Sequence, residues 1–201
     1  MTRTETPWGP WEPLDDRGAA ALFRDAAFPW WIAGGYAIEA FVGRPLREHG
    51  DVDIGVFRDE HLEVREYLTG WDVHCADPPG ALRPWPSGEL LPGAVHDIWV
   101  RETADGPWRF QLMLNEREGD QWVYRRDPRT RRSIAALTFE RKGVRYLVPE
   151  VQLLFKSKGM REKDVADFEA ALPLLSGRAR SWLATHLELE MHGHPWLELL
   201  A

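Results

Sequence analysis

The sequence predicts an α+β fold, in which a small mixed sheet with flanking helices is followed by a helical C-terminal part. The first observation is that short apolar or alternating segments, which are typical of strands, recur between residues 29 and 114. The second is that segments with a helical spacing of apolar residues lie among them. The third is that beyond Pro149 the apolar residues follow a helical spacing alone. We therefore expect an α/β domain at residues 1–148 and a helical segment at residues 149–201.

The first elements of the chain alternate between helix and strand. A helix is predicted over residues 13–27, with Asp15 or Asp16 as its N-cap, because a carboxylate there accepts a hydrogen bond from an unpaired helix N–H. Residues 77–92 are rich in Pro and Gly and are predicted to form a loop. Between them the pattern predicts, in order, a strand at 29–33, a short helix at 36–42, a second strand at 51–57, a helix at 58–68 and a third strand at 71–75.

A β-hairpin is predicted further along the chain. Residues 95–101 and 108–114 have strand patterns, and an Asp-Gly turn lies between them. A turn centred on that Asp places Trp99 opposite Gln111. In this register Asp97 lies diagonal to Gln111 on the same sheet face, whereas a slip of one residue would reverse the faces.

Composition and charge narrow the function classes. An apolar content of 44%, including 11% aromatic residues, supports a buried core. Cys75 is the single cysteine, so we expect no internal disulfide and a reducing, cytoplasmic location. No apolar run reaches the length of a membrane span, and the first residues lack a signal peptide's apolar segment. The formal net charge of −7 argues against nucleic acid as the main partner and slightly favours a cationic small molecule.

Two glycines stand at the junction between the first strand and the short helix. Gly34 and Gly35 come directly after the apolar run at residues 30–33. Glycine lets a phosphate approach the backbone, and a helix N-terminus favours an anion. A Gly-Gly pair alone is more often plain turn chemistry, so a phosphate-binding role needs support from a second motif.

Two aspartates lie a short distance beyond the glycines. Asp51 and Asp53 belong to the predicted second strand, where alternate side chains share one face. An Asp-x-Asp alone is more often a solvated strand end. Two carboxylates near a phosphate-tolerant turn, however, are what a Mg²⁺-dependent phosphoryl or nucleotidyl transfer needs.

The two motifs, in this order and at this distance, resemble those of the nucleotidyltransferase superfamily. Residues 31–39 and 47–54 are similar to the matching segments of aminoglycoside and lincosamide nucleotidyltransferases, and the close similarity covers about residues 28–58. The resemblance implies a nucleotidyltransferase-type sheet and a helical part that walls the substrate cleft. It also implies ATP as co-substrate and Mg²⁺ held by Asp51 and Asp53.

A third carboxylate is the open question of this expected site. Members of the superfamily usually place one on a later strand of the same sheet, and here that position falls near Gln111, which does not act as a base at neutral pH. Asp97, next to Gln111 in the predicted hairpin, is the expected substitute as third metal ligand or as catalytic base. Glu116 is the second choice, and a site without a third carboxylate is the remaining alternative.

Charged residues of the C-terminal part complete the expected site. The stretch Lys163-Asp164-x-x-Asp167-Phe168 resembles a motif in lincosamide nucleotidyltransferases and some toxin-like relatives. A solvated charged face is the alternative interpretation. The resemblance favours a nucleotide-binding role for Gly34, Gly35, Lys156, Lys158, Arg161 and Lys163. Lys156 or Lys158 is expected to hold the triphosphate tail, and Arg161 or Lys163 to order the two domains.

Two further groups of residues surround these motifs. His49, two residues before Asp51, is expected to support the site, as a His often does in the related enzymes; a hydrogen-bonded turn residue is the alternative. A solvated loop is expected for the arginine cluster at residues 125–132, with a phosphate contact as the less favoured interpretation.

The resemblance implies a Mg-ATP-dependent nucleotidyltransferase that adenylylates a hydroxyl of a small molecule, with an aminoglycoside-like antibiotic as the expected acceptor. One alternative is a toxin-like nucleotidyltransferase that acts on tRNA or protein, although the acidic charge disfavours tRNA. Another is a non-catalytic nucleotide-binding domain, which Gln111 in place of a carboxylate would favour.

Overall fold

The structure is a computed structural model and describes residues 5–201. The predicted α+β fold is confirmed, with ten strands and seven α-helices in this part of the chain. The strands are β1 (Trp30–Ile32), β2 (Asp53–Phe57), β3 (Asp72–Ala76), β4 (Leu82–Pro84), β5 (Asp97–Arg101), β6 (Trp108–Glu118), β7 (Gln121–Val123), β8 (Arg131–Ser133), β9 (Thr138–Arg141) and β10 (Val144–Leu147). The helices are α1 (Asp16–Leu22), α2 (Gly34–Val42), α3 (His61–Tyr67), α4 (Pro149–Ser157), α5 (Glu162–Ala171), α6 (Gly177–Glu190) and α7 (Trp196–Leu200).

One mixed sheet organises the chain up to Leu147. Its strand order is β4-β3-β5-β6-β2-β1-β10-β9, and β7 and β8 extend from the distal end of β6. Strand β2 lies between the antiparallel β1 and the parallel β6. Since β2 is a central strand in this order, Asp53, its first residue, lies near the middle of the sheet.

The hairpin of β5 and β6 has the predicted register. Trp99 pairs with Gln111, and Asp97 pairs with Met113. Side chains alternate between the faces of a strand, so Asp97 and Gln111 share one face. The register shifts only between Val100 and Arg101, on the side of the hairpin that leads to the turn.

One prediction about the aspartate pair is wrong. Asp51 precedes β2, so only Asp53 belongs to the strand. The antiparallel ladder between β1 and β2 ends where Ile32 pairs with Ile54. On the other side, the carbonyl oxygen of Val52 still accepts a hydrogen bond of 3.0 Å from the Gln111 N–H on β6. A sequence pattern shows apolar alternation but not where the neighbouring strand stops.

Other elements differ from the prediction as well, among them the helix predicted over residues 13–27, which is confined to α1. The Pro- and Gly-rich segment at residues 77–92 contains the short strand β4, whose backbone pairs with the edge of β3. The helix predicted over residues 58–68 begins as a 3₁₀ turn at Arg58–Glu60 and continues as α3. The predicted cap is present, since Asp15 accepts a hydrogen bond of 2.7 Å from the Gly18 N–H at the start of α1.

The helical C-terminal part begins at Pro149, as predicted, and Pro suits the first position of a helix. Its apolar core includes Leu153, Leu154, Phe168 and Leu183, which have no exposed surface. Division into two domains at residue 148 stays a prediction. None of the helices within residues 5–201 combines the length and the apolar character needed to cross a membrane.

Candidate active site

A cavity of about 210 Å³ lies between the face of the sheet that carries Asp53 and the helices α4 and α5. It brings together residues that are far apart in the sequence. Of the residues predicted to act in nucleotide or metal binding, those that line it are Gly34, Gly35, Asp51, Asp53, Lys156, Arg161 and Lys163.

Gly34 occupies a position that suits only glycine. Its φ of +66° lies in the left-handed region, and a Cβ there would collide with the carboxylate of Asp53. Its N–H donates a hydrogen bond of 2.7 Å to Oε1 of Gln152 on α4. Gly34 therefore lets Asp53 approach the turn and ties the turn to the helical part, and its N–H is already used within the protein.

Gly35 lies in the first turn of α2, where N–H groups have no acceptor within the helix. An added Cβ would meet the imidazole of His49 and lie 2.5 Å from Nη2 of Arg47. The His49 ring stacks on Tyr36 with 4.1 Å between ring centroids, and its Nε2 lies 2.9 Å from Oε1 of Glu39. His49 thus packs against the turn from the side.

Asp51 and Asp53 line the cavity together although only Asp53 belongs to a strand. Burial, followed by the negative charge of Asp51, raises the pKa of Asp53 to about 7. The charge of Asp97 acts in the same direction, and those of Lys156 and Lys163 oppose it. A carboxylate pair under this repulsion is stabilised by any cation that binds between its members.

Gln111 lies beside Asp53, on the neighbouring parallel strand β6. This is the position at which the sequence lacks the third carboxylate. Its Nε2 donates a hydrogen bond of 3.1 Å to Oδ1 of Asp97 on β5. Asp97 does not line the cavity, but its charge acts on Asp53 across the strand that carries Gln111.

The pair of aspartates fits a Mg²⁺ ion that is bound together with a nucleotide. Within residues 5–201 no three Asp, Glu, His or Cys side chains are gathered as a set of metal ligands. Mg²⁺ in such sites is usually held by one or two carboxylates, with substrate phosphates and water as the remaining ligands. Asp51 and Asp53 can supply these carboxylates, and Asp97 is not needed as a third ligand.

Ion pairs with two buried aspartates hold three cations at the wall of the cavity. Nζ of Lys156 lies 2.8 Å from Asp167 and 3.3 Å from Asp164, and neither of these carboxylates has exposed side-chain surface. Nε of Arg161 lies 2.7 Å from Asp164. Arg47, before β2, donates two hydrogen bonds to Asp167 on α5. The Arg47 pair fastens the loop before β2 to α5, and the other pairs hold α4 and α5 together.

The remaining two lysines predicted to bind nucleotide differ in position. Lys163 lines the cavity and acts electrostatically on Asp53, and it makes no hydrogen bond or ion pair with any residue from 5 to 201. Lys158 is exposed at the C-cap of α4 and lies outside the cavity lining. Its position therefore gives no support to the predicted phosphate contact.

The arginine cluster is not uniformly solvated, in contrast to the expectation. Arg125 and Arg126 line the cavity, because β7 pairs with the distal end of β6 and returns the chain to the site. The other three arginines pair outside it: Arg129 with Asp127, Arg131 with Glu118, and Arg132 with Glu150.

Other lining residues were missed at the level of sequence. Gln152 and Phe155 come from α4. Gln152 precedes Lys156 by four residues, a spacing that places both side chains on one face of the helix and that could have indicated Gln152. Phe155 has no such signal. Arg47 lies in the segment similar to the known enzymes. Glu116, predicted as the second choice for the third carboxylate, also lines the cavity, with Oε1 2.5 Å from Nε of Arg58.

Comparisons with known proteins point to one group of enzymes. A family model described as aminoglycoside-2''-adenylyltransferase matches residues 18–76, which include both the glycine and the aspartate motifs. No curated protein matched the chain. Among solved structures, the lincosamide antibiotic adenylyltransferase LnuA with bound lincomycin is similar, with a TM-score of 0.52 and 17% identity over 76% of this chain and 90% of that one.

Two structures of the antibiotic-resistance factor ANT(2'')-Ia are also similar. The solution structure has a TM-score of 0.54 and 17% identity, covering 87% of this chain and 92% of that one. The crystal structure with adenylyl-2''-tobramycin has a TM-score of 0.53 and 16% identity, covering 82% of this chain and 90% of that one. The likeness shows a shared fold, and the resemblance to the nucleotidyltransferase superfamily is confirmed.

Proposed function

From a fold shared with antibiotic nucleotidyltransferases, we propose that the protein is a Mg-ATP-dependent nucleotidyltransferase that adenylylates a hydroxyl of a small molecule. The observation that carries this proposal is the cavity, which gathers the Gly34-Gly35 turn, the Asp51 and Asp53 carboxylates and the free cation of Lys163. These are the groups that nucleotidyl transfer requires: a phosphate cradle, metal ligands and a counter-charge for the triphosphate.

The nucleotide phosphates belong on the side of the cavity formed by α2 and α5. The N-terminus of α2 begins at the glycine turn, and its first N–H groups and helix dipole favour an anion. Lys163 adds a cation that no described residue neutralises. Lys156 and Arg161 are also part of this wall, but they are paired with Asp164 and Asp167, so Lys163 carries the unpaired positive charge there.

Mg²⁺ bound by Asp51 and Asp53 would neutralise charge on the phosphoryl group that is transferred. In the transfer, the acceptor hydroxyl oxygen bonds to the α-phosphorus, the bond to the bridging β-oxygen breaks, and pyrophosphate leaves with the electron pair. Asp97 stands outside the cavity lining but close enough for its charge to act on Asp53, and it takes up the hydroxyl proton through a bridging water. Its carboxylate is oriented by the hydrogen bond from Gln111, whose amide has no basic function.

The proposal is tested by incubating the purified protein with Mg-ATP and a panel of hydroxylated antibiotics that includes lincomycin and tobramycin. Mass spectrometry should find an acceptor that gains one AMP group, with release of pyrophosphate. Chelation of the metal by EDTA should abolish the product. Absence of acceptor-dependent pyrophosphate release across the panel would count against transfer to antibiotics.

A non-catalytic nucleotide-binding domain is the second candidate, because Gln111 stands beside Asp53 where the known enzymes usually have a carboxylate. It predicts tight Mg-ATP binding without product. A toxin-like transferase acting on tRNA or protein has no observation in this structure that favours it.

Replacement of Gly35 with Ala should weaken ATP binding by roughly tenfold, about 1.4 kcal/mol. The reason is that a Cβ at this position displaces His49 and Arg47 from the wall of the turn and crowds the phosphate approach. Titration calorimetry with Mg-ATP on folded protein measures the effect. Gly177→Ala is the matched control, since nothing lies within 4 Å of a Cβ there. Equal affinities in the two variants would limit the glycine to a role in the turn.

A further inference from the structure

Among the described residues, Arg125 and Lys163 are the cavity arginine and lysine side chains without an ion pair, and Lys163 lies on the side assigned to the nucleotide. Arg47, Lys156 and Arg161 are paired with aspartates, and Arg126 donates hydrogen bonds to Oη of Tyr124 and the carbonyl oxygen of Phe155. Arg125 is half-buried, and it makes no hydrogen bond or ion pair with any residue in the range 5–201. Burial lowers its pKa, but an arginine remains charged at neutral pH.

A half-buried guanidinium without a partner has lost part of its hydration and gained no hydrogen bonds in return. The carboxylates on this side of the cavity do not supply them, because each has another partner. Glu116 bonds to Arg58 at 2.5 Å, Glu190 to Oη of Tyr124 at 3.3 Å, and Asp97 to Gln111 at 3.1 Å. The positive charge of Arg125 is therefore left for a ligand.

The position of Arg125 separates it from the phosphate cradle. It follows β7, which pairs with the distal end of β6, and its strongest charge partner is Asp97 on β5. The glycine turn and Lys163 lie on the other side of β2, toward β1 and α5. Attacking and leaving oxygens are arranged in line across the transferred phosphorus, so the acceptor enters opposite the β- and γ-phosphates. That is the side of Arg125 and Asp97.

We infer that Arg125 binds an anionic group of the acceptor, a carboxylate or a phosphate, and so selects hydroxylated acceptors that carry such a group over polyamines. The inference rests on the proposed function, and it differs from the cationic acceptor expected from the net charge of the chain. A planar guanidinium binds either anion through two parallel hydrogen bonds, which would also align the neighbouring hydroxyl for attack.

The test is a titration of ¹⁵N-labelled protein saturated with Mg²⁺ and a non-hydrolysable ATP analogue. D-glucuronate and D-glucosamine serve as anionic and cationic probes on the same sugar scaffold. The Nε–H signal of Arg125, assigned by its loss in Arg125→Lys, should shift with glucuronate in a saturable way and not with glucosamine. Arg125→Gln should weaken glucuronate binding at least tenfold and change the affinity for the ATP analogue less than twofold.

Arg131→Gln is the matched control, because it removes the same charge from an exposed ion pair outside the cavity. A signal that responds to the ATP analogue and then not to glucuronate would make Arg125 a nucleotide ligand and overturn the inference. No response to glucuronate, or an equal response to glucosamine, would overturn it as well. If the wild-type protein does not bind the ATP analogue, the proposed function fails, and the same titration of the nucleotide-free protein still decides whether Arg125 binds anions.

Discussion

Asp53→Asn is expected to lower kcat on the order of a thousandfold while the protein stays folded. Asp53 lies at the start of the central strand β2, lines the cavity and faces the carboxylate of Asp51. The amide keeps the shape of the side chain but removes the charge that would bind Mg²⁺. Turnover with saturating Mg-ATP and an identified acceptor measures the loss. Activity equal to that of the wild type would refute the role of Asp53 as a metal ligand.

The same variant should be more stable than the wild type in the absence of metal. The pKa of Asp53 is raised to about 7 in the folded protein, against 3.8 as the ordinary value. Because the fold disfavours the ionised form, the wild type loses stability as the pH rises from about 4 to about 7. Asn does not titrate, so the difference in stability between Asp53→Asn and the wild type should be absent near pH 4 and fully developed above pH 7.

Thermal unfolding between pH 4 and pH 8, with and without Mg²⁺, checks this expectation. Added Mg²⁺ should stabilise the wild type and have little effect on Asp53→Asn. Asp105→Asn, in the exposed turn between β5 and β6, is the control for loss of one carboxylate. A metal-free Asp53→Asn that unfolds below the wild type at pH 8 would contradict the proposed repulsion between Asp51 and Asp53.

Asp97→Asn should lower kcat by about 10²- to 10⁴-fold, the range expected for loss of a general base, and leave the affinity for ATP within twofold. Asn can still accept the hydrogen bond from Gln111, so the geometry of the hairpin is kept. Comparison of kcat from turnover with the Kd of Mg-ATP from calorimetry separates the chemical step from binding.

Glu116→Gln is the matched control for Asp97. Glu116 lines the cavity, which Asp97 does not, but it is engaged by Arg58, so its loss should affect kcat much less. A large loss in Glu116→Gln with little change in Asp97→Asn would transfer the role of base to Glu116. If neither variant changes kcat, the site works without a third carboxylate.

The sequence predicted those parts of the site that depend on local patterns. The order strand, Gly34-Gly35 turn, helix and second strand is visible in the residues themselves, and the Asp-Gly turn was enough to set the register that places Asp97 beside Gln111. The parts that it missed depend on contacts between distant segments. Nothing near Arg125 in the chain indicates that β7 folds back on β6 and turns this arginine into the cavity.

The charged helix shows the same limit. A pattern of lysines and aspartates predicts a charged face, but it does not reveal which cations the aspartates neutralise. Asp164 and Asp167 hold Lys156, and Asp167 also holds Arg47, which lies far away in the sequence. Lys163 is therefore the lysine left for a nucleotide, a distinction that only the three-dimensional contacts make.

The close approach of the Asp53 carboxylate to Gly34 also affects the order in which mutations would accumulate in a homologue that loses its activity. Any other residue at Gly34 strains the backbone and displaces the carboxylate proposed to bind the metal, so a first mutation there damages fold and site together. A first mutation at Asp53 removes only the chemistry and relieves the crowding at the turn. A descendant that has lost its activity should therefore keep the glycine and vary at the aspartate, and the reverse combination should be rare.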